Sequence, residues 1–496
     1  MPRLDEVFTL SGVPTFTFVE PVRFEEVKVS LQTPGRCMVV EGPSGIGKTT
    51  TITKALSDLD LTGQVLSLSA RRPGDVNMIA ALPEMGDIGT VIVDDFQRLP
   101  DAIKQRLSDF MKVLADAQAP NSKLILLGIN KAGLQLVRLG TDLGMRIDVF
   151  RLEANPQDKI EELIILGEKA LRVDITQKNQ IAERAQGSFQ IAQVLGHKIC
   201  VLSKVTEPQP ELKTLDFPID ALIEHVMADL ARQFKEPAMV FARGSKLYRE
   251  GRAPYLHILR WLAESDEWSL DLSDALRMHP QQRASIGQVL DKGHLVALLN
   301  HPDKVELLAP HFHFEPSTSI LSVDDPLLIF YLKNIIWRAF TRQAGFKTDV
   351  FEYKYDFALS FAGSDREHAR KIYDLLAERE IATFYDENEQ HRILARNIEE
   401  YLGPIYRSEA RYVIPFLSPD YPKRIWTKFE SDQFRERFGS KAVIPIRYTT
   451  AAPGFFSDDQ KYGGLSFDPS GDVDEQLEKI VNILSSRLIA DRDEAE

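Results

Sequence analysis

Cys37-Met38-Val39-Val40-Glu41-Gly42-Pro43-Ser44-Gly45-Ile46-Gly47-Lys48-Thr49-Thr50 decides the reading of the N-terminal half of the chain. A short strand-like run enters a full GxxxxGK[ST] loop, and a helix-forming stretch follows. The glycines let such a loop curl until its backbone N–H groups point inward at phosphate oxygens. The helix that opens after it adds the positive end of its dipole. Gly42, Ser44, Gly45, Gly47, Lys48, Thr49 and Thr50 are therefore the candidate nucleotide-binding residues. Lys48 would contact the β- and γ-phosphates, and the Thr49 hydroxyl would ligand Mg²⁺.

Downstream, Thr90-Val91-Ile92-Val93-Asp94-Asp95 is an apolar strand ending in two acids. Asp94 at that edge would share the Mg²⁺ shell with Thr49, and Asp95 would orient or deprotonate an attacking water. A third apolar run, Lys123-Leu124-Ile125-Leu126-Leu127-Gly128-Ile129, delivers Asn130, a candidate sensor of the γ-phosphate. Asn130-Lys131-Ala132-Gly133 differs from the guanine-reading NKxD pattern at Gly133, so ATP or ADP is expected rather than GTP. These three strand ends resemble the AAA+ and STAND groups of P-loop ATPases over roughly the first 205 residues. The resemblance implies a core at 1–155, a helical lid at 156–210, and an arginine finger at Arg138 or Arg146. Gly187-Ser188-Phe189-Gln190-Ile191-Ala192 in the lid lacks the arginine that many such proteins carry there, which implies slow, switch-like use of ATP.

The chain has 496 residues, room for about three domains. Its net charge of −13 disfavours broad attraction to polyanions. Cys37 and Cys200 lie far apart and have no metal-ligand spacing, which points to a reducing compartment. The N-terminus opens with acids and no apolar core of a signal sequence, and no run of about 18 apolar residues appears. A cytoplasmic protein without a membrane partner is expected.

Thr206-Glu207-Pro208-Gln209-Pro210-Glu211 reads as a linker, because paired prolines resist helix and central strand alike. Residues 211–348 are mainly helical and winged-helix-like, with a hairpin expected around Leu295 to Phe314. The final segment Asp324-Asp325-Pro326-Leu327-Leu328-Ile329-Phe330-Tyr331-Leu332 resembles the terminal helix of the winged-helix modules that follow STAND-type ATPases. Trp261 has the helical spacing of a core residue. His311-Phe312-His313 alternates as a half-exposed strand rather than as a metal pair. Residues 281–294 carry only Arg283 and Lys292 as definite cations, few for a DNA-reading helix, so a nucleic-acid partner is not expected.

Tyr355-Asp356-Phe357-Ala358-Leu359-Ser360-Phe361 is a strand that feeds the turn Ala362-Gly363-Ser364-Asp365-Arg366 and then a helix. With Ile381 to Asp386, Ile405 to Tyr421 and Trp426-Thr427-Lys428-Phe429-Glu430, it resembles the ordered boxes of Toll/interleukin-1 receptor (TIR) domains across 349–490. That resemblance implies a flavodoxin-like parallel sheet and cleavage of NAD⁺ at the nicotinamide–ribose bond. Glu430, four residues after Trp426, would be the catalytic acid; Phe361, Asp365, Tyr385 and Trp426 would be NAD-binding. The loop Glu387-Asn388-Glu389-Gln390-His391-Arg392-Ile393-Leu394-Ala395-Arg396 lacks the family's usual glycine and proline.

The fold expected is thus an α/β multidomain chain: P-loop ATPase, lid, helical middle domain and TIR domain. An ATPase switch joined to a TIR module resembles prokaryotic antiphage proteins and plant immune receptors. The resemblance implies self-association as a homo-oligomer or filament through the ATPase and TIR parts, a phage-derived or cellular trigger, and release of ADP-ribose or a cyclic form. A TIR scaffold without chemistry and an ATP-gated winged-helix regulator are the alternatives.

Overall fold

The apolar runs of the N-terminal third form β1 (Cys37–Glu41), β2 (Val65–Ser69), β3 (Gly89–Asp94), β4 (Ser122–Gly128) and β5 (Ile147–Arg151). They make one parallel sheet in the order β2-β3-β4-β1-β5. The computed structural model describes residues 1–42, 45–128, 146–152, 154–245, 251–265, 268–280, 282–323, 325–346, 352–386, 398–421, 437, 442–451 and 463–494. Unbroken apolar runs mark strands covered on both faces, and successive side chains here enter two separate cores. Met38, Val40, Ile125 and Leu127 join one; Cys37, Val39, Leu124 and Leu126 join the other. The first face is covered by α1 (Lys48–Asp58) through Ile52 and Leu56, the second by α2 (Asp101–Asp116) through Leu107 and Met111.

The core behind α1 continues through the next two hundred residues. It takes in Leu163 of α3 (Gln157–Leu171), Ile181 of α4 (Lys178–Ala185), Ile191 of α5 (Phe189–Leu202) and Phe234 of α6 (Ile219–Arg243). β6 (Val173–Ile175) follows α3 and pairs in parallel with β7 (Lys213–Leu215), so a short strand interrupts a segment whose sequence reads as purely helical. The middle module adds α7 (Pro254–Glu264), where Trp261 is buried as its spacing requires, and α8 (Arg283–Asp291).

A small antiparallel sheet, β8 (Ser269–Asp271), β10 (Ile320–Val323) and β9 (Phe312–Glu315), completes that module, followed by α9 (Pro326–Asn334). The hairpin therefore lies at 312–323, downstream of the expected Leu295 to Phe314. Leu295, Leu298 and Leu299 recur at helical spacing and form a helix behind Gly293, and the turn-forming Pro316-Ser317-Thr318-Ser319 joins the two strands instead.

The C-terminal module is a second parallel sheet in the order β12-β11-β13-β14-β15. Its strands are β11 (Tyr355–Ser360), β12 (Thr383–Phe384), β13 (Ala410–Leu417), β14 (Ile446–Tyr448) and β15 (Leu465–Phe467). Leu359 and Phe416 pack on one face with α10 (Arg366–Glu378) and α11 (Val473–Glu494); Ala358 and Val413 face Phe384, Ile405 and Tyr406 on the other.

β11 is buried at every position, including Asp356, which is 3% exposed. Its carboxylate accepts from Arg252 Nε (2.9 Å) and Nη2 (3.1 Å), from Arg492 Nη2 (3.1 Å) and from the Ala382 N–H (3.1 Å). Arg252 belongs to the middle module and Arg492 to α11, so this one carboxylate joins two modules. Beside it, Gln288 of α8 donates to the Tyr373 hydroxyl of α10 at 2.6 Å, and Lys292 faces Asp374 at 3.5 Å.

Burial would raise the Asp356 pKa, but the charges of Arg252 and Arg492 outweigh it and hold the carboxyl below its ordinary range. The stability contributed by this cluster is therefore present above the unfolded value, about 3.9, and lost as the pH falls through the lower folded value. Replacing Asp356 with Asn leaves two guanidiniums without their charge partner, a loss worth about 3–5 kcal/mol. Urea denaturation should show that deficit at neutral pH, and the gap between wild type and Asp356→Asn should narrow below about pH 4.

Candidate functional site

The loop after β1 is built around close approaches. A Cβ at Gly42 would lie 2.3 Å from the Leu152 carbonyl oxygen, and Gly45 and Gly47 have φ of +69° and +103°, the left-handed region glycine enters without cost. Gly47 caps α1, whose first residue, Lys48, turns its ammonium back to the Gly42 carbonyl at 2.9 Å. The Thr49 hydroxyl donates to Asp94 at 3.2 Å. Thus Gly42, Gly45, Gly47, Lys48, Thr49 and Asp94 converge as their sequence predicts, and Thr50 lines the same cavity. Ser44, Asn130 and Arg138 lie outside the described residues. Arg146 pairs with Asp116 at 2.8 Å, which gives this guanidinium a partner within its own module.

The two neighbouring acids are pushed in opposite directions. Burial, and then the charge of Asp95, raise the Asp94 carboxyl above its usual range. Asp95 is half-buried, and although that burial would raise it, the hydrogen bonds and charge of Arg71 hold it below that range. Arg71 donates through Nε (2.5 Å) and Nη2 (3.0 Å) to the two oxygens of Asp95. In this arrangement the carboxylate expected to handle water is clamped by a guanidinium just beyond β2. Among the described residues Asp94 has no such clamp, and a divalent cation beside it would supply positive charge. Its carboxylate and the Thr49 hydroxyl are hard oxygen donors of the kind Mg²⁺ prefers. Among the described residues no group of three His, Cys, Asp or Glu could hold a metal alone; water and phosphate oxygens would fill the rest of a Mg²⁺ shell.

A cavity of about 470 Å³ extends from this loop. One wall is the N-terminal segment, with Leu10, Thr17 and Phe18, and another is the lid, with Leu163, Phe189 and Gln193. Sequence reading missed this wall and Arg71, because neither carries a motif. The middle module also reaches the loop: a Cβ on Gly45 would stand 2.4 Å from Pro326 Cγ at the start of α9 and 2.8 Å from Gln190 Oε1.

In the C-terminal module, Phe361, Asp365 and Tyr385 gather just beyond the ends of β11 and β12, as expected. Asp365 accepts from the Ser418 hydroxyl at 2.5 Å, and burial raises its carboxyl above the usual range. Tyr385 differs from the ligand-stacking role expected of it. Its ring is 2% exposed and packed between Phe361 (centroids 5.5 Å apart) and Tyr373 (5.2 Å), so both faces are taken by protein. Phe361 is half-buried, with the Arg366 guanidinium 5.6 Å from its centroid. Trp426, Glu430, Arg392 and Arg396 lie outside the described residues.

A strand–loop–helix phosphate cradle on a parallel sheet and a second, separate parallel sheet define a chain with a P-loop ATPase-like N-terminal region and a C-terminal TIR domain. Residues 357–481 match the family model described as TIR domain. Over 106 residues, 21% of this chain, the sequence is 35% identical to the 3′ cyclic ADP-D-ribose synthase AaTIR of Aquimarina amphilecti, and the match spans 32% of that protein's length. Among solved structures, the RuvB Holliday junction branch migration motor of Thermotoga maritima is similar at 14% identity and a TM-score of 0.32, covering 63% of this chain and 97% of that one. The ORC2 protein of Aeropyrum pernix, solved as ADPNP–ADP complexes, is similar at 13% identity and 0.33, covering 67% and 98%. The nucleotide site itself rests on this chain's own loop, acids and strand order.

A side chain at Gly45 meets both a left-handed backbone, costing about 1–2 kcal/mol, and Pro326. Gly45→Ala is therefore expected to weaken ADP binding about tenfold in isothermal titration calorimetry.

Proposed function

We propose that this chain is an ATP-regulated effector whose TIR domain cleaves NAD⁺, held in check by the rest of the molecule until a trigger drives self-association. What carries the reading is the joining, in one chain, of a TIR domain similar to a cyclic ADP-ribose synthase to a phosphate-binding loop whose neighbouring module is pinned to that TIR domain through Asp356. ADP or ATP would lie on the loop with Lys48 on its phosphates, and Mg²⁺, held by Thr49 and Asp94, would neutralise phosphate charge.

In the cleavage, the bond between ribose C1′ and the nicotinamide nitrogen breaks, and nicotinamide leaves with the electron pair. The cationic ribose left behind is stabilised by the Glu430 carboxylate. Water then adds to C1′ with loss of a proton, giving ADP-ribose, or a hydroxyl of the same molecule adds, giving a cyclic product. Trp426 would help to position Glu430, and Phe361 and Asp365 would border the nicotinamide. Depletion of NAD⁺ in antiphage defence, with assembly through ATPase and TIR surfaces, is the biological role proposed. The regulator reading has less support, because α8, the helix that would read DNA, packs against α10 of the TIR domain through Gln288 and Lys292.

Nicotinamide release from NAD⁺, measured by chromatography on the full chain, tests this directly. Arg252→Met should loosen the TIR domain and raise release about tenfold or more, since it removes a buried interfacial partner. Adding Glu430→Ala to that variant should cut release by about 100-fold. Equal release with and without Glu430 would sink the assignment.

A further inference from the structure

The N-terminal wall of the nucleotide cavity is fastened to the lid at two points. The ring of Phe8 is fully buried between two lid helices and meets a glycine on each. A Cβ at Gly167 of α3 would lie 2.2 Å from Phe8 Cζ, and a Cβ at Gly196 of α5 would lie 2.5 Å from its Cε1. Glycine in a helix interior is disfavoured relative to alanine, yet both helices carry one where this single ring enters. Just before it, the Leu4 N–H donates to the Thr206 carbonyl at 3.0 Å. The second fastening is Thr17, 1% exposed, whose hydroxyl donates to the Val7 carbonyl at 2.8 Å and accepts from Gln193 Nε2 of α5 at 2.7 Å. Residues 8 and 17 are therefore held close together on the lid, and the chain between them is a closed loop.

Between its fastenings the loop is loose. Among the described residues no hydrogen bond holds residues 10–16, and Gly12, at φ +88°, has open space where a Cβ would stand. Leu10, Gly12 and Pro14 line the cavity, while their neighbours Val13 and Phe16 do not and are 40% and 42% exposed. The loop thus stands between the cavity and solvent, with Lys48, Arg71 and Asp94 of the core lining the same space. A segment with few buried contacts and no backbone hydrogen bonds of its own opens at low cost. What keeps it over the cavity is the buried ring at one end and the buried hydroxyl at the other.

We propose that residues 9–16 form a strap that a nucleotide must pass on entering or leaving, and that Phe8, seated against Gly167 and Gly196, is the positioning residue that keeps the strap closed. This rests on the reading of the glycine loop as a nucleotide site and concerns how fast that site exchanges its ligand. Opening of a covering segment can set such rates while the contacts to the ligand stay the same. A strap of this kind stands in the path and not in the bound state. Loosening it therefore speeds association and release together and leaves their ratio nearly unchanged.

Binding of tritium-labelled ADP to the full chain, and its release into an excess of unlabelled ADP, both followed by rapid filtration, provide the test. Truncating a buried phenylalanine ring costs far more than a factor of ten in an equilibrium, so Phe8→Ala should raise both rates at least about tenfold. Gly196→Ala drives a methyl against the ring and should raise both as well, although alanine favours the helix. Adding Phe8→Leu to Gly196→Ala makes room for that methyl and should return both rates toward wild type. Thr17→Val undoes the other fastening without emptying the core and should act in the same direction as Phe8→Ala. Partial unfolding lowers the amount of ADP bound but not the rate at which the folded fraction releases it, so stoichiometry separates the two effects. Lys48→Ala reports the phosphate site by itself. Rates unchanged in Phe8→Ala, Gly196→Ala and Thr17→Val, with binding lost in Lys48→Ala, overturn the strap and leave the nucleotide site standing. Faster release without faster association marks lost contacts in place of an opened path, and overturns it as well. Failure of wild type to bind ADP overturns both readings.

Discussion

Asp356 is buried on β11 of a parallel sheet, where a lone carboxylate would not stay ionised, and two guanidiniums from different parts of the chain keep it so. Among the described residues two guanidiniums meet this one carboxylate. Arg492 of α11 and Asp356 of β11 both belong to the C-terminal module and pair there at 3.1 Å. Arg252 is brought from the middle module and is 2% exposed when docked. Withdrawing it would return a cation to water and leave the TIR domain's own pair intact, whereas removing Asp356 would strand two cations. The contact is thus specific and costly to break from one side, yet separable as a unit along the module boundary.

The nucleotide end has a physical route to that boundary. One apolar core runs from a face of the phosphate-binding sheet through the lid into the middle module, with Met38, Ile191, Leu259 and Leu328 in the same cluster. Pro326, the first residue of α9, abuts Gly45 of the loop. At its far side the same module presents Arg252, Gln288 and Lys292 to the TIR domain. Close-packed interiors transmit displacement rather than absorb it, so a shift of α9 over the loop would be felt through a continuous core.

The parts legible in the sequence are those whose chemistry is local. The glycines, Lys48 and Thr49 are consecutive, and the apolar runs of β1, β3 and β4 are each long enough to announce a buried strand. The half-exposed 311–313 segment and the core position of Trp261 were legible for the same reason. What stayed hidden depends on residues far apart. Thr17 and Gln193 meet across 176 positions, Arg71 and Asp95 across 24, and Arg252 and Asp356 across 104. No periodicity connects such pairs. Tyr385 shows the converse limit: its place after β12 was readable, but its burial between two other rings depends on which side of the sheet α10 covers. The hairpin shift has a similar origin, since apolar Leu295 to Leu299 fits helix or strand until Pro316-Ser317-Thr318-Ser319 is recognised as the turn.

Asp94 and Asp95 show how one strand end yields two different acids. Adjacent carboxylates with buried side chains repel each other, and both cannot remain charged without outside help. Backbone geometry separates them: Asp95, at φ +58°, turns off the strand axis toward Arg71, while Asp94 continues the strand toward Thr49. Arg71 then satisfies Asp95 with a two-pronged hydrogen bond, while burial first and the charge of Asp95 second raise the Asp94 carboxyl. Positive charge arriving beside Asp94 would therefore relieve the strained member of the pair. Arg71 engages both oxygens of Asp95, so a water approaching that carboxylate would first have to displace the guanidinium.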